Sequence, residues 1–273
     1  MNFFRLFTLF FLVSLRVLGG SSGDTLTVVT WNIRDFGQTK SDGELQFIAS
    51  QLKPYDLVAV QEVVGGPAGP QAVAKLADAL DRTGANWDYC ISEKTSGTRG
   101  TVERYAFLWK SSRVKRLGKA WLDLNYKDVI DREPYMAGFV FRADTLYLVS
   151  LHAVPKSKFP ETEIKYLKYF PEHYPGKSLM FLGDFNCPQS HTVFNPLKSA
   201  GYPPIMKDEK TTIRKGCQSR DCTASAYDNI FYPSKTMKFV RATVLHFQTR
   251  MPLGLPTESI SDHLPVVGWF VFK

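Results

Sequence analysis

The chain has 273 residues, of which 44% are hydrophobic and 14% aromatic, which is enough for one substantial core and does not require a second domain. The formal net charge of +8 suits a polyanionic partner. The sequence contains no internal repeat, heptad pattern or low-complexity linker, which argues against repeat and coiled-coil proteins. We therefore interpret residues 23–273 as one domain.

The N-terminal residues have the pattern of a secretory signal peptide. A short positive start at residues 1–5 precedes an apolar run at 6–15 that is too short to span a bilayer, and small residues follow at 19–22. The pattern predicts a signal peptide over residues 1–22, cleaved near residues 20–22, and a secreted or periplasmic protein without a membrane anchor. An uncleaved membrane anchor is the alternative. No other segment is long or apolar enough to span.

Polar side chains mark the ends of several apolar runs, which we predict to be buried strands. The polar residues at these positions are Asn32, Glu62, His152, Asp184, Asn186, Asp228, Asp262 and His263. A single Gly-Asp pair after a strand is more often a turn than a ligand. Several such ends together are poorly explained by chance, because buried charges are rare unless they are paired or bound to metal. Carboxylate and amide oxygens are also the ligands that Mg²⁺ prefers.

The intervening segments predict helices and further strands. Helices are predicted at residues 42–53, 70–83, 161–174 and 192–200. A hairpin is predicted from residues 136–142 and 145–152, and further strands at 236–246 and 266–272. This alternation is compatible with two packed, mixed β-sheets that carry helices on their outer faces.

Ordered motifs give the chain a resemblance to a known superfamily. These motifs are Thr30-Trp31-Asn32-Ile33-Arg34, Gln61-Glu62-Val63, Glu103-Arg104-Tyr105, Arg132-Glu133-Pro134, Leu151-His152-Ala153, Gly183-Asp184-Phe185-Asn186, Ala226-Tyr227-Asp228 and Ser261-Asp262-His263. In this order they resemble the endonuclease/exonuclease/phosphatase superfamily, and within it the deoxyribonuclease I-like branch. The resemblance implies an α/β (α+β) fold, a four-layer sandwich of two packed mixed β-sheets flanked by helices.

The resemblance also implies a role for each of the residues that match. His263 is expected to be the general base, oriented by Asp228, and His152 the general acid, oriented by Glu103. Residues expected to hold or flank the cation and the scissile phosphate are Asn32, Glu62, Asp184, Asn186 and Asp262. Arg132 and Arg34 are expected to bind phosphate oxygens through their guanidinium groups.

These roles predict a secreted, metal-dependent endonuclease that cuts DNA to 5′-phosphate and 3′-hydroxyl ends. Mg²⁺ is the expected cofactor, with Mn²⁺ as a substitute and Ca²⁺ as a possible structural or activating ion. A monomer with no obligate protein partner is expected. The alternatives are a phosphodiesterase or phosphatase of the same fold, of the sphingomyelinase or inositol-phosphate phosphatase type, and a non-catalytic binding module. The module is disfavoured because both histidines and the metal carboxylates are present.

Two positions depart from the pattern of pancreatic-type deoxyribonucleases. Those enzymes follow Gln-Glu-Val with an arginine that enters the DNA minor groove, where this chain has Val64. They also have a tyrosine two positions before the counterpart of Glu103, where this chain has Thr101. Both departures concern contact with DNA and leave the groups for bond cleavage in place.

The four cysteines allow more than one pairing. Cys217 and Cys222 flank a short polar loop, and an exported protein would allow them to close it. That local pairing leaves Cys90 and Cys187 reduced, as small core residues. The resemblance instead implies a bridge between Cys187 and Cys222. We favour the local pairing, although the sequence does not choose between the two.

Overall fold

The structure is a computed structural model, and it describes residues 24–37, 39–97, 102–216, 222–252 and 255–273. Its strands are β1 Leu26–Phe36, β2 Leu57–Val64, β3 Trp87–Ile91, β4 Glu103–Lys110, β5 Val114–Leu122, β6 Tyr135–Phe141, β7 Asp144–His152, β8 Leu179–Asp184, β9 Asp228–Phe231, β10 Met237–Val244 and β11 Val266–Phe272. Its α-helices are α1 Asp42–Leu52, α2 Ala68–Asp81, α3 Glu161–Ile164, α4 Phe170–His173, α5 Asn195–Ser199 and α6 Thr257–Ile260. The predicted signal peptide at residues 1–22, Thr101 and Cys217 lie outside the described residues.

The strands form two mixed sheets. The first has six strands in the order β10-β11-β1-β2-β4-β3, and the second has five in the order β5-β6-β7-β8-β9. Only β1 with β2 and β7 with β8 pair in parallel among these strands, and the other neighbours are antiparallel. Each sheet therefore has one edge at which the carboxyl ends of two adjacent strands meet.

The period-two alternation of each strand fills three apolar layers. In β8, Met180 and Leu182 face the core between the two sheets, whereas Leu179 and Phe181 pack beneath the helices of the second sheet. In β1, Val28 faces the inter-sheet core, and residues such as Val29 pack against α1 and α2. Helices thus cover the outer face of each sheet, and the predicted four-layer sandwich is confirmed.

The first two predicted helices are present, and the third and fourth are broken. α1 begins after Ser41, whose hydroxyl accepts a bond from the Glu44 N–H while the Glu44 carboxylate accepts one from the Ser41 N–H. The segment predicted as one helix over 161–174 consists of α3, a 3₁₀ turn and α4. Pro171 lacks the N–H that would bond back to Leu167, so the helix cannot run through.

The same constraint shortens the fourth predicted helix. Residues 192–194 form a 3₁₀ turn, and α5 follows with a proline in its first turn.

The predicted hairpin is present as β6 and β7, with Phe141 opposite Asp144. β3, β4 and β5 were not predicted as strands, although the motif Glu103-Arg104-Tyr105 forms the start of β4.

Gly183 is the position at which the second sheet admits no side chain. Its φ is 141°, and an added Cβ would lie 1.9 Å from the carbonyl oxygen of Leu151 on the neighbouring strand. We expect Gly183→Ala to lower the free energy of unfolding by about 3 kcal/mol or more, because strand β7 must move away. Urea denaturation of the purified variants measures this change.

Gly43→Ala is the matched control. Gly43 lies in α1 with nothing within 4 Å of its added Cβ, so alanine there should stabilise the protein by about 0.5 to 1 kcal/mol. Equal stability of the two variants would contradict the packing argument for Gly183, whereas loss of soluble Gly183→Ala protein would agree with it.

Candidate active site

Two parallel strand pairs and two antiparallel neighbours deliver the functional side chains to one edge. Asn32 and Glu62 lie near the carboxyl ends of β1 and β2, and His152 and Asp184 end β7 and β8. The antiparallel neighbours run the other way, so their first residues reach the same edge. These residues are Glu103 of β4 and Asp228 of β9. His263 arrives from the loop before β11.

A bulge turns Glu62 toward this edge. The pairing of β2 with β4 shifts between Val60 and Val63, and Glu62 has a left-handed φ of 61°. Val58, Val60 and Val63 all face the core under α1 and α2, so the extra residue breaks the alternation at Glu62. Its carboxylate therefore meets the Asn32 side chain, whose Nδ2 donates to Glu62 Oε1 at 2.9 Å.

Two histidine–carboxylate couples face one another at the site. His152 Nδ1 lies 2.9 Å from Glu103 Oε2, and His263 Nδ1 lies 2.8 Å from Asp228 Oδ2. The Nε2 atoms of the two rings lie 3.4 and 3.6 Å from the same oxygen, Oδ2 of Asp184. A carboxylate behind each ring fixes its tautomer, so both Nε2 atoms are presented toward one location.

The buried carboxylates control the charge of these groups. Burial works against the imidazolium form of His263, but Asp228 and Asp184 outweigh it and raise the pKa of His263 to about 10. Burial likewise opposes the charge on His152, and Glu103 overcomes it and raises the pKa of His152. The two imidazoliums hold the pKa of Asp184 below its usual value in spite of burial.

The oxygen atoms around Asn32 form a donor set suited to a hard cation. Asn32 Nδ2 donates to both Glu62 and Asp184, which leaves its Oδ1 buried and without a hydrogen-bond partner among the described residues. An orphaned amide oxygen beside two carboxylates fits a small divalent ion. Asp262 is half-buried, and its charge acts on His263, but no hydrogen bond joins its side chain to Asn32 or Glu62 in the described structure.

Asp184, Asp228 and His263 also place one ligand atom each within 4.8 Å of one another. A cation bound by all three would compete with the contact between His263 and Asp228, because Nδ1 of the ring already lies against Asp228 Oδ2. Buried oxygens without a hydrogen-bond partner among the described residues lie on both sides of Asp184, at Asn32 Oδ1 and at Asp228 Oδ1. The Asn32–Glu62 side differs in having a half-buried carboxylate, Glu62, that an ion can reach from solvent, whereas Asp228 is buried. We therefore regard that side as the better cation position.

Arg132 binds protein oxygens and not the phosphate predicted from the sequence. Its side chain is only 4% exposed, and all three guanidinium nitrogens donate to protein oxygens. The acceptors are His152 O, Glu103 Oε1 and Ala153 O, at 2.8, 3.1 and 2.7 Å. Arg132 thus braces the His152–Glu103 couple from behind, which corrects the sequence-based expectation of a phosphate contact.

Arg34 and Asn186 lie where a substrate can reach them. Arg34 is 41% exposed, pairs with Asp35 at 3.5 Å and lines a groove of about 660 Å³ that also contains Val64. Asn186 is half-buried, with its N–H donating to Asp184 Oδ1 and its Nδ2 donating to Ala153 O. The groove adjoins the Glu62 side of the site, because its lining residue Asp35 donates its N–H to Glu62 Oε2.

Three further residues hold the site together, and none of them was given a role from the sequence. Ser261 Oγ donates to Asn32 O and accepts from the His263 N–H, which joins β1 to the loop that carries His263. Thr211 Oγ1 donates to Asp228 Oδ2 at 2.7 Å. The Lys40 ammonium is buried and donates to the carbonyl oxygens of Ser259 and Ile260 at the end of α6. Thr211 and Lys40 have no local pattern that predicts these contacts.

The chain belongs to the endonuclease/exonuclease/phosphatase family, whose model matches residues 29–263. A deoxyribonuclease of Thioalkalivibrio is 27% identical over 267 residues, covering 90% of this chain and 71% of that protein. Deoxyribonuclease-1 of Mus musculus is 29% identical over 283 residues, covering 95% of both proteins. A crystal structure of a family member from Bacteroides thetaiotaomicron has a TM-score of 0.64 at 16% identity, covering 91% of this chain and 98% of that one, and shows the fold alone.

Family membership and these relatives identify a phosphodiester-hydrolysing enzyme of the nuclease and phosphodiesterase type. The family generally uses a divalent metal. The donor set around Asn32 fits such an ion, because its free amide oxygen and adjoining carboxylates are hard ligands.

Lys40 provides a test of how the loop that carries His263 is held. Lys40→Met removes the ammonium group that binds the carbonyl oxygens of the two residues before Ser261. We therefore expect turnover of a phosphodiester to fall about ten-fold, with a smaller change in KM. The free energy of unfolding should fall by about 1.5 to 3 kcal/mol, the range for hydrogen bonds to charged groups. Steady-state kinetics and urea denaturation measure the two effects.

Lys75→Met is the control, since Lys75 is 62% exposed and its ammonium pairs with Asp42 at the surface. Turnover in Lys40→Met equal to that in Lys75→Met would show that the Lys40 contact does not position the loop.

The raised pKa of His263 predicts a pH-dependent stability in the metal-free protein. A raised pKa means that the stabilisation is complete below the unfolded value of about 6.5 and is lost as pH rises toward the folded value. We expect the stability difference between the wild type and His263→Asn to shrink from pH 6.5 toward pH 10, with a slope of at most about 1.4 kcal/mol per pH unit. Urea denaturation in EDTA measures it.

His246→Asn, at an exposed histidine, serves as the reference. If the stability difference between the wild type and His263→Asn changes as little with pH as that for His246→Asn, then His263 is not held in a charged buried couple.

Proposed function

We propose that this enzyme is an exported, Mg²⁺-dependent endonuclease that hydrolyses DNA to 5′-phosphate and 3′-hydroxyl ends. One observation carries the proposal: the two histidine–carboxylate couples present their Nε2 atoms within 3.4 and 3.6 Å of a single oxygen of Asp184. In-line hydrolysis of a phosphodiester needs one group to take a proton from water and another to protonate the departing oxygen. Two opposed rings provide both groups.

His263 is the general base and His152 the general acid in this proposal. His263 must be neutral to accept a proton, yet its carboxylate neighbours favour the charged form. A divalent ion bound by Asn32, Glu62 and Asp184 would supply positive charge for the phosphoryl oxygens and offset the charge of those carboxylates. Glu103, held by Arg132, orients His152 for transfer to the 3′ oxygen.

DNA is the proposed substrate because the relatives named deoxyribonuclease match along most of the chain and the net charge is +8. The groove next to Glu62 contains the Arg34 guanidinium and, at Val64, an apolar side chain. We propose that Arg34 contacts a phosphate in this groove. A monomer without an obligate protein partner accords with a site built from one chain.

Export and a disulfide form part of the proposal. Cys90 and Cys187 are free thiols, so Cys187 does not form the bridge to Cys222 that the resemblance implied. We propose that Cys222 pairs with Cys217, which lies outside the described residues. No described helix is long and apolar enough to cross a membrane.

Cleavage of supercoiled plasmid tests the proposed chemistry. We expect hydrolysis with Mg²⁺ or Mn²⁺, none in excess EDTA, and nicks that a ligase seals without end repair, because water attacks phosphorus and the 3′ oxygen leaves. Undiminished cleavage in EDTA, 3′-phosphate ends, or hydrolysis of sphingomyelin or inositol phosphates without cleavage of DNA would each contradict the proposal.

Histidine variants test the assignment of residues within the same assay. His152→Ala and His263→Ala should each reduce turnover by roughly 10² to 10⁴, the range for general acid–base catalysis. Adding Glu103→Ala to His152→Ala should cost little more, since the couple acts as a unit. The exposed His246→Asn is the control, and a variant of either catalytic histidine with the turnover of that control would exclude that histidine.

A further inference from the structure

The segment after β7 presents a cation-rich turn with an apolar ring to solvent. Lys156 and Lys158 are exposed, and Phe159, which follows them, is 64% exposed. That is the highest exposure among the large hydrophobic side chains of the described residues. We call residues 156–159 the Lys-Phe turn. Its composition is unusual because a ring of this size is normally buried.

The backbone of the turn is fixed although the ring is exposed. Phe159 has a φ of 59°, in the left-handed region that bulky residues rarely adopt. Its N–H donates to Lys156 O at 3.2 Å, and its carbonyl oxygen accepts from the N–H and hydroxyl of Thr162 at 3.0 and 2.7 Å. No aromatic ring in the described ranges stacks on it. Neither burial nor backbone preference explains a phenylalanine here.

Hydrogen bonds connect the start of this turn to the active site. Ala153 O accepts from both Arg132 and Asn186, and the Val154 N–H donates to the buried carboxylate of Glu163 at 2.8 Å. The other oxygen of Glu163 accepts from the N–H of Asp131, so the flanking loop is fixed as well. Phe159 follows His152 by seven residues, so its Cα lies within about 25 Å of that histidine.

Charge and shape favour a nucleic acid strand with unpaired bases as the occupant. Lysine ammonium groups attract phosphates, and an exposed phenylalanine face stacks on a base without regard to its identity. Bases inside a duplex are already stacked, so the ring can reach only bases that are unpaired. The turn follows the strand of His152, the proposed acid, and the group that receives its proton belongs to the nucleotide on the 5′ side of the cut.

We propose that the Lys-Phe turn binds unpaired nucleotides on the 5′ side of the scissile phosphodiester and so directs the enzyme toward DNA with single-stranded character. This inference rests on the proposed nuclease function. It adds a substrate preference that the catalytic groups alone do not provide, since both histidine couples act on the phosphate.

The test compares kcat/KM for a single-stranded oligonucleotide, the matched blunt duplex and bis(4-nitrophenyl) phosphate, a diester without nucleotides. Phe159→Ala should lower the ratio of single-stranded to small-diester kcat/KM about ten-fold, within the range for loss of one base–aromatic stack. The loss on the duplex should be smaller. Lys156→Gln with Lys158→Gln should reduce the salt dependence of KM.

A matched control exists on the edge strand β5, where Lys115 and Lys119 flank the exposed Leu117. Lys115→Gln, Lys119→Gln and Leu117→Ala remove the same charges and a similar apolar surface there. Phe159→Gly, which suits the left-handed backbone, replaces the alanine variant if alanine disturbs the turn. The ratio of kcat/KM values should not change in the β5 variants.

A substrate with one natural phosphodiester among phosphorothioates locates the contact. Abasic residues on the 5′ side should raise KM for the wild type but not for Phe159→Ala, and abasic residues on the 3′ side should affect both alike.

If the wild type cleaves DNA but the turn variants match the β5 variants, or lose single-stranded and duplex activity equally, the inference is overturned. If the turn variants cleave DNA as the wild type does but no longer co-sediment with phosphatidylserine vesicles as the wild type does, the turn binds lipid and the inference is overturned. A wild type that cleaves no DNA refutes the proposed function itself.

Discussion

Asp184 is the buried charge on which the geometry of the candidate site depends. Its carboxylate is 1% exposed and would be costly without partners, since an ionised group taken out of water must be paired or hydrogen-bonded. Its Oδ1 accepts from the Asn186 N–H, and its Oδ2 faces Asn32 Nδ2 and the two histidine Nε2 atoms. One carboxylate thus sets the spacing between groups from both sheets.

The backbone around Asp184 is built to hold that position. Gly183 approaches Leu151 so closely that only glycine fits, which brings the ends of β7 and β8 into register as His152 opposite Asp184. Behind the histidines, Arg132 and Ser261 connect loops from distant parts of the chain to these strands. A buried polar network of this kind makes removal of any one member more costly than its single bond suggests.

Sequence patterns predicted the strand ends because burial and function coincide there. Short apolar runs that stop at Asn32, His152 or Asp184 are visible in the chain without any structure. The exposed positions of β5 from Lys115 to Lys119 give no such apolar run, so that strand was missed. The task of Arg132 was also misjudged, because a guanidinium suits a phosphate and backbone carbonyls equally well, and only the packing of distant loops decides between them.

Left-handed backbone outside glycine is concentrated near the site. Asp35, Glu62 and Asn186 have φ values of 47°, 61° and 49°, and each costs roughly 1 kcal/mol or more in isolation. For Glu62 the result is a carboxylate in contact with Asn32, and for Asn186 a backbone N–H that donates to Asp184 Oδ1; the Asp35 N–H donates to the second oxygen of Glu62. The strain thus lies where it fixes contacts to Asn32 and Asp184, so the arrangement of the candidate site exists before a substrate arrives.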